Sequence, residues 1–278
     1  MKKDYIVKSL FDLRGRTALI TGGGSGIGRI ISETLAHFGA NLILVSRKEK
    51  NLFDTKYDIL ESNPVGTIEA LTCDLGQEES IETLVLNVKE MTDKIDILVN
   101  NSGVSWGNAL GSFPYSAWNR VLSVNVTGLF HLTQKLLPII EKAATQSYPS
   151  KILNLGSVMG LSPYGDGAYS YSVSKASVHH LTKILAKELA HKNITVNALA
   201  PGPFASKMTS FAIDSKEKLN AVSKGIPLGR IGRFEDMAAA TIFICGPGGN
   251  YVTGAIIPID GGLHISTGPE LFEESRNL

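Results

Sequence analysis

The side chains best suited to chemistry in this sequence are a tyrosine and a lysine four residues apart, Tyr171 and Lys175. On a helix, residues four apart share a face, so the phenol and the ammonium are expected to lie side by side. A phenol has an unperturbed pKa of about 10, and a neighbouring ammonium favours its ionised form. Such a pair can act as a general acid and base near neutral pH. Tyr169 has Val173 at the same spacing, so we predict that Tyr171 is the acid/base.

A glycine-rich turn stands between the first apolar run and the first helical segment, in TALITGGGSGIGR (17–29). Glycine lets the backbone turn tightly and brings its N–H groups close to a pyrophosphate at the helix N-terminus. This placement is typical of a dinucleotide-binding fingerprint, and a purely structural turn is the alternative. The residues predicted to hold the dinucleotide here are Gly22, Gly24, Ser25, Gly26, Ile27 and Gly28.

The end of the second apolar run indicates which dinucleotide binds. The common fingerprint has an acidic residue there, which binds the ribose 2′-hydroxyl of NAD. This chain has Ser46 and Arg47, followed by Lys48, and its first carboxylate is Glu49. A guanidinium donates a forked pair of hydrogen bonds to an anion and so suits a 2′-phosphate. We therefore predict NADP(H) rather than NAD(H), with a solvated surface arginine as the alternative.

Short apolar runs alternate with helical segments and predict the elements that position these groups. Runs of this length suit strands buried on both faces, and their alternation with helices predicts a doubly wound α/β parallel sheet. No composition break divides the chain, so we predict one domain over 1–278 with a substrate lid over 204–230. The predicted strands are 17–21, 41–46, 67–73, 95–100, 151–157, 194–200 and 255–260, and the predicted helices are 27–38, 49–61, 78–92, 116–143, 171–191 and 234–245.

Two of the helical segments, 116–143 and 171–191, differ from the others, and the first leaves little polar face. One face of such a helix packs on the sheet, and the remainder needs another partner. We therefore predict a homo-oligomer formed through these helices. A deeply buried helix in a monomer is the alternative.

Charge and histidine spacing argue against several classes of function. With 27 basic and 26 acidic side chains, the net charge is +1, and no basic tract indicates nucleic acid. The six histidines lack metal-ligand spacing, so we predict no metal. His179 and His180 are adjacent, and adjacent helical residues do not face one another, which argues against a site there.

The cysteines and the N-terminus bear on location. Cys73 and Cys245 lie far apart and belong to no CxxC pair, which fits a reducing compartment. The stretch MKKDYIVKSLFDLRGR (1–16) lacks the apolar core of a signal peptide, and no apolar run approaches the length of a membrane span. We expect a cytoplasmic protein with no membrane partner.

Six short motifs follow one another in an order that resembles the short-chain dehydrogenase/reductase family. They are TGGGSGIG (21–28), NNSG (100–103), SVNVTG (123–128), NLGS (154–157), YSVSK (171–175) and LAPGPF (199–204). Each is weak alone, but the ordered set is specific. The resemblance implies a single-domain, Rossmann-type doubly wound parallel sheet of about seven strands, assembled into dimers or tetramers through the two apolar helices.

The resemblance also implies roles for residues at matching positions. Tyr171 matches the catalytic acid/base, and Lys175 matches the lysine that lowers its pKa and holds the nicotinamide ribose. Ser157 matches the serine that polarises the substrate carbonyl, and Asn125 matches the asparagine that anchors a water behind the lysine. A buried backbone anchor for Asn125 and a strand-end cap for Ser157 are the alternatives. Further positions that match cofactor contacts are Asp74, Leu75, Asn101, Gly103, Pro201, Gly202, Phe204 and Ser206.

One spacing departs from the family pattern. Ser157 and Tyr171 are one residue further apart than expected, whereas Tyr169 would be one residue too close. The loop VMGLSPYGDGA (158–168) is expected to absorb an insertion. The alignment of Tyr169 therefore stays open, while that of Lys175 does not.

The implied reaction is reversible hydride transfer between nicotinamide and a carbonyl carbon, and NADP(H) favours reduction. NNSGVSWG, AYSYSVSK and APGPFASKMT resemble a subgroup that includes 3-oxoacyl reductases of the rhamnolipid-biosynthesis type, so we expect a 3-oxoacyl thioester or related β-keto substrate. A ketose or polyol is the alternative substrate, and a non-catalytic dinucleotide sensor or scaffold is the alternative of another class. The side chains expected to line an apolar pocket under the lid are Trp106, Met159, Tyr164, Tyr169, Phe204, Met208 and Phe211.

Overall fold

The computed structural model describes residues 9–164 and 167–266. Part of the N-terminal stretch used for the location prediction lies outside the described residues, as do both ends of the predicted domain. Gly165 and Asp166, in the loop expected to absorb an insertion, lie outside them too.

Within the described residues, the strands form one seven-stranded parallel sheet in the order β3-β2-β1-β4-β5-β6-β7. The apolar side chains of the five inner strands are buried because helices cover both faces, and this is why those runs in the sequence are continuous rather than alternating; the edge strands β3 and β7 are only partly buried. The doubly wound sheet predicted from the sequence is confirmed. The strands are β1 (Thr17–Thr21), β2 (Asn41–Ser46), β3 (Ile68–Thr72), β4 (Ile97–Asn100), β5 (Ser150–Leu155), β6 (Ile194–Pro201) and β7 (Ile256–Ile259).

The helices pack on the sheet through two apolar clusters, one on each face. Ile31 and Met237 belong to the first cluster, and Leu84 and Leu132 belong to the second. The α-helices are α1 (Gly26–His37), α2 (Glu49–Glu61), α3 (Glu78–Met91), α4 (Tyr115–Leu122), α5 (Leu129–Ala143), α6 (Tyr169–Leu189), α7 (Ser210–Ile213), α8 (Lys216–Lys224) and α9 (Phe234–Cys245).

The predicted helix 116–143 is interrupted by a π-helical turn, Ser123–Gly128, between α4 and α5. Wider turns of this kind occur mostly at functional sites. The backbone comes so close to its neighbour here that a Cβ on Gly128 would overlap the Leu75 carbonyl oxygen. The turn carries Asn125 into the interior, where it is 1% exposed.

The predicted strand 151–157 is too long at its carboxyl end. The β5 strand ends at Leu155, and the Gly156 amide donates the final hydrogen bond to Leu199 of β6 at 2.8 Å. Ser157 therefore lies beyond the strand, at the start of a 3₁₀ turn, Val158–Gly160. The segment 204–230, predicted to be the substrate lid, contains α7 and α8.

Apolar side chains remain exposed on the two helices predicted to form an oligomer. Phe130 of α5 is 41% exposed, and Val173 and Ile184 of α6 are 47% and 48% exposed. Leu132 and Leu136, on the face of α5 that meets the sheet, are fully buried. The assembly itself stays a prediction. Among the helices of residues 9–164 and 167–266, none is both long and apolar enough to cross a membrane.

Candidate active site

A cleft of about 410 Å³ opens at the carboxyl ends of the strands. It lies beside β1 and β4, where the strand order reverses: β1 leads outward to β2 on one side, and β4 leads to β5 on the other. Open α/β sheets bind ligands at such a point. The predicted site residues that line it are Gly22, Ser25, Gly26, Ile27, Gly28, Ser46, Arg47, Asp74, Leu75, Asn101, Gly103, Ser157, Tyr171, Lys175, Pro201, Gly202, Phe204 and Ser206.

The glycine-rich turn needs glycine for two different reasons. Gly22 and Gly26 have φ angles of 68° and 53°, in the left-handed region that glycine adopts without strain. A Cβ on Gly28 would overlap the Gly22 carbonyl oxygen. Glycine is needed at 28 because the glycine-rich turn packs directly against α1 at this point. Gly24 does not line the cleft. A Cβ on it would lie 2.9 Å from the backbone of Asn51 in α2, so packing against α2 requires glycine here, and the predicted cofactor contact stays a prediction.

The N-terminus of α1 opens into this cleft and fits a phosphate group. Among the described residues, no side chain caps the helix: Ser25 makes no capping hydrogen bond, and the first turn contains no acidic residue. The first amides of a helix have no partner within the helix, and they lie at the positive end of its dipole. An uncapped helix terminus of this kind is a ready anion site. The residues present therefore fit the pyrophosphate of a dinucleotide.

Arg47 lies at the rim of the cleft beside Asp74, with 3.8 Å between Nη1 and Oδ2. Both side chains are nearly half exposed, at 46% and 40%, so their mutual attraction is weak. Asp74 also accepts a hydrogen bond from the Gly76 amide at 3.0 Å, which holds its carboxylate in place. The guanidinium is therefore not committed to a strong internal pair, and it can meet an anion in the cleft.

Tyr171 and Ser157 both line the inner end of the cleft, with Ser157 placed to hydrogen-bond to the phenol. Burial raises the pKa of the Tyr171 phenol, and the hydrogen bond from Ser157 only partly opposes this. Lys175 is 5% exposed, and its Nζ donates to the Leu155 carbonyl at 2.6 Å while lying 5.7 Å from the centre of the Tyr171 ring.

Lys175 is not among the groups that lower the pKa of Tyr171, so the role that the resemblance implies for this lysine stays a prediction. Burial, rather than the charge of the lysine, dominates the pKa of the phenol. Burial also lowers the pKa of Lys175 to about 8. Both shifts have one cause, because a poorly hydrated site disfavours the phenolate and the ammonium alike.

Asn125 lies behind the cleft rather than on its wall. Its Oδ1 accepts from the Val104 amide at 2.8 Å, and its Nδ2 donates to the Val104 carbonyl and the Ser174 hydroxyl, each at 2.9 Å. A Cβ on Gly103 would lie 3.4 Å from Asn125 Oδ1 and 3.5 Å from Lys175 Nζ. Asn125 thus ties the 103–104 backbone to α6, and its water-anchoring role stays a prediction.

Asn101 forms the floor of the cleft between β1 and β4. Its backbone N–H donates to Thr21 Oγ1 at 3.0 Å, and its Nδ2 donates to the Thr21 carbonyl at 2.9 Å. These bonds close the gap that opens where the two strands separate. Asn101 therefore shapes the cleft by holding the end of β4 against Thr21 at the end of β1.

Phe204 lines the cleft, but its side chain points into the core rather than forming an apolar pocket wall. It is 3% exposed and belongs to the core, and a Cβ on Gly232 would overlap its ring. Phe204 lies at the start of the predicted lid, where its carbonyl accepts from Thr209 Oγ1 at 2.6 Å. The Ser206 and Thr209 hydroxyls lie 3.1 Å apart, so this end of the lid is folded on itself.

The other aromatic side chains expected in the pocket have different neighbours. The Tyr169 ring packs edge-on against Phe113, with 5.3 Å between ring centres, and Phe113 in turn packs against Trp118. The Tyr164 hydroxyl donates to the carbonyls of Leu263 and Ser266. Trp106, Met159 and Phe211 do not line the cleft, whereas Met208 does. Tyr171, not Tyr169, faces the cleft.

The sequence did not point to some of the residues that line the cleft. Those residues are Lys48, Asn51, Cys73, Ser102, Val104, Val124, Leu155, Gly156, Lys207 and Thr209. His179 was set aside because it adjoins His180, yet it is buried and accepts a hydrogen bond from the Ser157 amide at 3.3 Å. His179 lies four residues after Lys175, just as Lys175 lies four residues after Tyr171. This repeated spacing in the sequence could have identified His179 as a candidate.

Away from the cleft, Glu78, Glu82 and His131 come together on α3 and α5. Lys135 Nζ lies 2.5 Å from Glu82 Oε1, so a cation of the chain already neutralises this carboxylate. The absence of a metal site stays a prediction.

Comparison with known proteins places this fold and cleft among enzymes. Residues 22–264 match a family model described as enoyl-(acyl carrier protein) reductase. The chain is 43% identical over 255 residues to a rhamnolipids biosynthesis 3-oxoacyl-[acyl-carrier-protein] reductase of Pseudomonas aeruginosa, covering 92% of this chain and 98% of that protein. It is 34% identical over 252 residues to a 2-dehydro-3-deoxy-D-gluconate 5-dehydrogenase of Bacillus subtilis, covering 91% and 96%.

A solved structure shows the same fold at similar identity. The complex described as Pseudomonas aeruginosa RhlG/NADP active-site complex superposes with a TM-score of 0.88 at 42% identity, covering 92% of this chain and 99% of that one. Family model, curated relatives and solved structure agree over nearly the whole chain. The chain belongs to the short-chain dehydrogenase/reductase family of NAD(P)-dependent oxidoreductases.

Proposed function

We propose that this protein is an NADPH-dependent carbonyl reductase whose substrate is a 3-oxoacyl thioester or a related β-keto compound. The observation that carries the proposal is the pair of Ser157 and Tyr171 at the inner end of a cleft whose outer end is the uncapped N-terminus of α1. An anion site and a proton donor thus share one cleft. That is the arrangement a nicotinamide-dependent reductase requires.

The residues that would hold the cofactor follow from the cleft. The amides of the first turn of α1 would bind the pyrophosphate, and Arg47 would bind the 2′-phosphate that distinguishes NADPH from NADH. Lys175 would hold the nicotinamide ribose. When bound, the nicotinamide supplies the hydride that reduces the carbonyl carbon.

The protein's own chemistry is proton donation and polarisation. Ser157 and Tyr171 would both donate hydrogen bonds to the substrate carbonyl oxygen, and Tyr171 would release its proton to that oxygen. Because burial raises its pKa, the phenol stays protonated at neutral pH and is ready to donate.

The proposal of an acyl substrate rests on the lid and on the relatives. Within 204–230, Met208, Phe211 and Leu228 are 41%, 75% and 69% exposed. Closing this segment over an acyl chain would bury them. We propose that residues 204–230 form the substrate lid of a single-domain enzyme. The 3-oxoacyl reductase named among the relatives agrees with this substrate class.

A sugar acid or polyol is the second candidate substrate. The relative named as a 2-dehydro-3-deoxy-D-gluconate 5-dehydrogenase favours it, and that protein matches 91% of this chain. A polyol substrate needs several hydrogen-bonding side chains in the pocket, so a preference for it would contradict the role proposed for the lid.

The test is turnover with both cofactors and three substrate classes. NADPH or NADH consumption would be followed by absorbance with acetoacetyl and longer β-ketoacyl thioesters, simple ketones, and keto sugar acids. We expect NADPH-dependent turnover that is fastest with a β-ketoacyl thioester. Faster turnover of keto sugar acids would overturn the substrate class, and tight cofactor binding without turnover of any substrate would favour a sensor or scaffold.

We also propose that the protein forms a dimer or tetramer through α5 and α6 and that it works in the cytoplasm. The exposed Phe130, Val173 and Ile184 support the first point. The two free cysteines, Cys73 and Cys245, are buried thiols, which fits a reducing compartment. Native mass measurement tests the assembly, and a monomer at micromolar concentration would contradict it.

A further inference from the structure

Helix α6 carries a third functional candidate on the face that bears Tyr171 and Lys175. His179 follows Lys175 by four residues, but it does not line the cleft and is 6% exposed. Its imidazole lies inside the loop that carries Ser157. A Cβ on Gly156 would overlap the ring, and one on Gly160 would lie 2.8 Å from its Cε1.

The imidazole completes a hydrogen-bond ladder that the sheet leaves unfinished. The Gly156 amide donates to Leu199 on β6, but the next amide, that of Ser157, has left the strand. It donates instead to His179 Nε2 at 3.3 Å. A buried amide without a partner is strongly disfavoured, so this contact determines where the Ser157 backbone can lie.

The ring is held in the form that can accept this bond. Burial lowers the pKa of His179 to about 4, the nearby backbone of Gly160 opposes the shift, and the charges of Lys175 and Lys183 add to it. The ring is therefore neutral at neutral pH. Since Nε2 accepts, the proton is on Nδ1, which is buried and has no partner of ordinary hydrogen-bond geometry among the described residues.

We propose that His179 is a positioning residue: by accepting the Ser157 amide, it holds the Ser157 hydroxyl against the Tyr171 phenol. This rests on the role of Ser157 in the proposed function. The hydroxyl has one further anchor, the Met159 amide, which donates to it at 3.2 Å. An apolar side chain would fill the same space without the penalty of burying two ring nitrogens. What histidine provides here, and an apolar side chain does not, is a nitrogen that accepts the hydrogen bond from the Ser157 amide.

The test compares an acceptor with an apolar side chain at this position. His179→Leu removes the acceptor, His179→Gln places an amide oxygen near the position of Nε2, and His180→Leu on the exposed side of α6 is the matched control. A misplaced reacting group costs up to about 100-fold in rate, so we expect kcat to fall about 10- to 100-fold in His179→Leu. The KM for NADPH should not change, His179→Gln should recover most of kcat, and His180→Leu should behave as wild type.

Combination with Ser157→Ala separates this proposal from the proposed function. If His179 acts through Ser157, adding His179→Leu to Ser157→Ala should lower kcat no further. A further drop, or a His179→Leu enzyme with normal kcat, overturns the positioning role while the function stands. A Ser157→Ala enzyme with normal kcat overturns the role of Ser157 in the proposed function, and the positioning role falls with it.

A measurement on the wild-type protein covers the case in which the leucine variant does not fold. With ¹⁵N labelling, the Ser157 amide and His179 Nε2 should show a coupling across their hydrogen bond. The shifts of the ring nitrogens should show Nε2 without a proton and Nδ1 with one. A proton on Nε2 would overturn the proposal, because that nitrogen could not then accept.

Discussion

The nucleotide end of the cleft and its chemical end are built from different groups. At the nucleotide end, the site for the pyrophosphate consists of backbone amides and glycines from one short segment, 22–28, and its geometry is local. The chemical end brings together Ser157 after β5 and Tyr171 and Lys175 on α6, and it is buried. At the pyrophosphate site, the small size of glycine lets the backbone approach the ligand. At the chemical end, burial shifts the pKa values and so decides which groups carry protons.

Removing the phenol of Tyr171 should have the largest effect, and it should act on the chemical end of the cleft alone. Tyr171→Phe should lower kcat about 100- to 10,000-fold, because a positioned general acid contributes that much. NADPH binding should be retained, since the nucleotide end is untouched. Steady-state kinetics and fluorescence titration with NADPH measure the two effects.

Tyr169→Phe is the matched control for that change. Its ring packs against Phe113 and is not on the cleft wall, so kcat should be close to that of wild type. If Tyr169→Phe is inactive while Tyr171→Phe turns over normally, the assignment of the acid is wrong.

Gly28→Ala should damage the nucleotide end while leaving the chemical end intact. The added Cβ would overlap a backbone oxygen of Gly22, and such overpacking costs about 1 to 3 kcal/mol. If most of this falls on the bound state, the Kd for NADPH rises by about 10- to 100-fold. Gly24→Ala packs against Asn51 instead, so it should lower Tm with little change in Kd. Equal effects of the two variants on Kd would contradict the placement of Gly24.

Arg47→Ala tests the cofactor preference. Losing a charge-assisted hydrogen bond costs about 1.5 to 3 kcal/mol, so the KM for NADPH should rise about 10- to 100-fold. The KM for NADH should change little, since it has no 2′-phosphate. Lys50→Ala, whose ammonium is 2.9 Å from Asp54 and off the cleft, is the control for lost charge. An equal rise for both cofactors would refute the 2′-phosphate assignment.

The pH dependence of turnover should give the smallest effect. With a pKa of about 8, Lys175 is charged below pH 8 and loses its proton above it, so kcat/KM should fall about tenfold near pH 9. Tyr171, with its raised pKa, stays protonated in this range. An unchanged kcat/KM up to pH 10 would show that the ammonium is not needed.

The free energy of unfolding should rise with pH over the same range in which kcat/KM falls. The opposite signs separate a loss of activity from a loss of folded protein. Lys175 binds its proton less tightly folded than unfolded, where its pKa is about 10.5. Between pH 8 and 10 the unfolded chain therefore holds more protons, and the free energy of unfolding should rise with pH. Denaturant unfolding at several pH values measures this rise.

Most of the sheet could be predicted because its signals are local. Parallel strands buried on both faces have continuous apolar runs, and Asn193, with φ of 57°, ends the turn after α6 where the sequence placed a helix end. The errors came where a neighbour in space intervenes. The β5 strand stops before Ser157, and the π-helical turn at Ser123–Gly128 forms where the chain passes against Leu75.

By itself, the sequence determined the order of strands and helices, the glycine turn, the arginine after β2 and the four-residue spacing of Tyr171 and Lys175, because each depends on residues close together in the chain. Only the tertiary structure decided that Gly24 packs against α2, that Phe204 lies in the core, and that His179 supports Ser157. It also decided the pKa directions of Tyr171 and Lys175. Burial is a property of the assembled fold, and the sequence pattern that predicts a contact between two groups does not specify how much water remains around them.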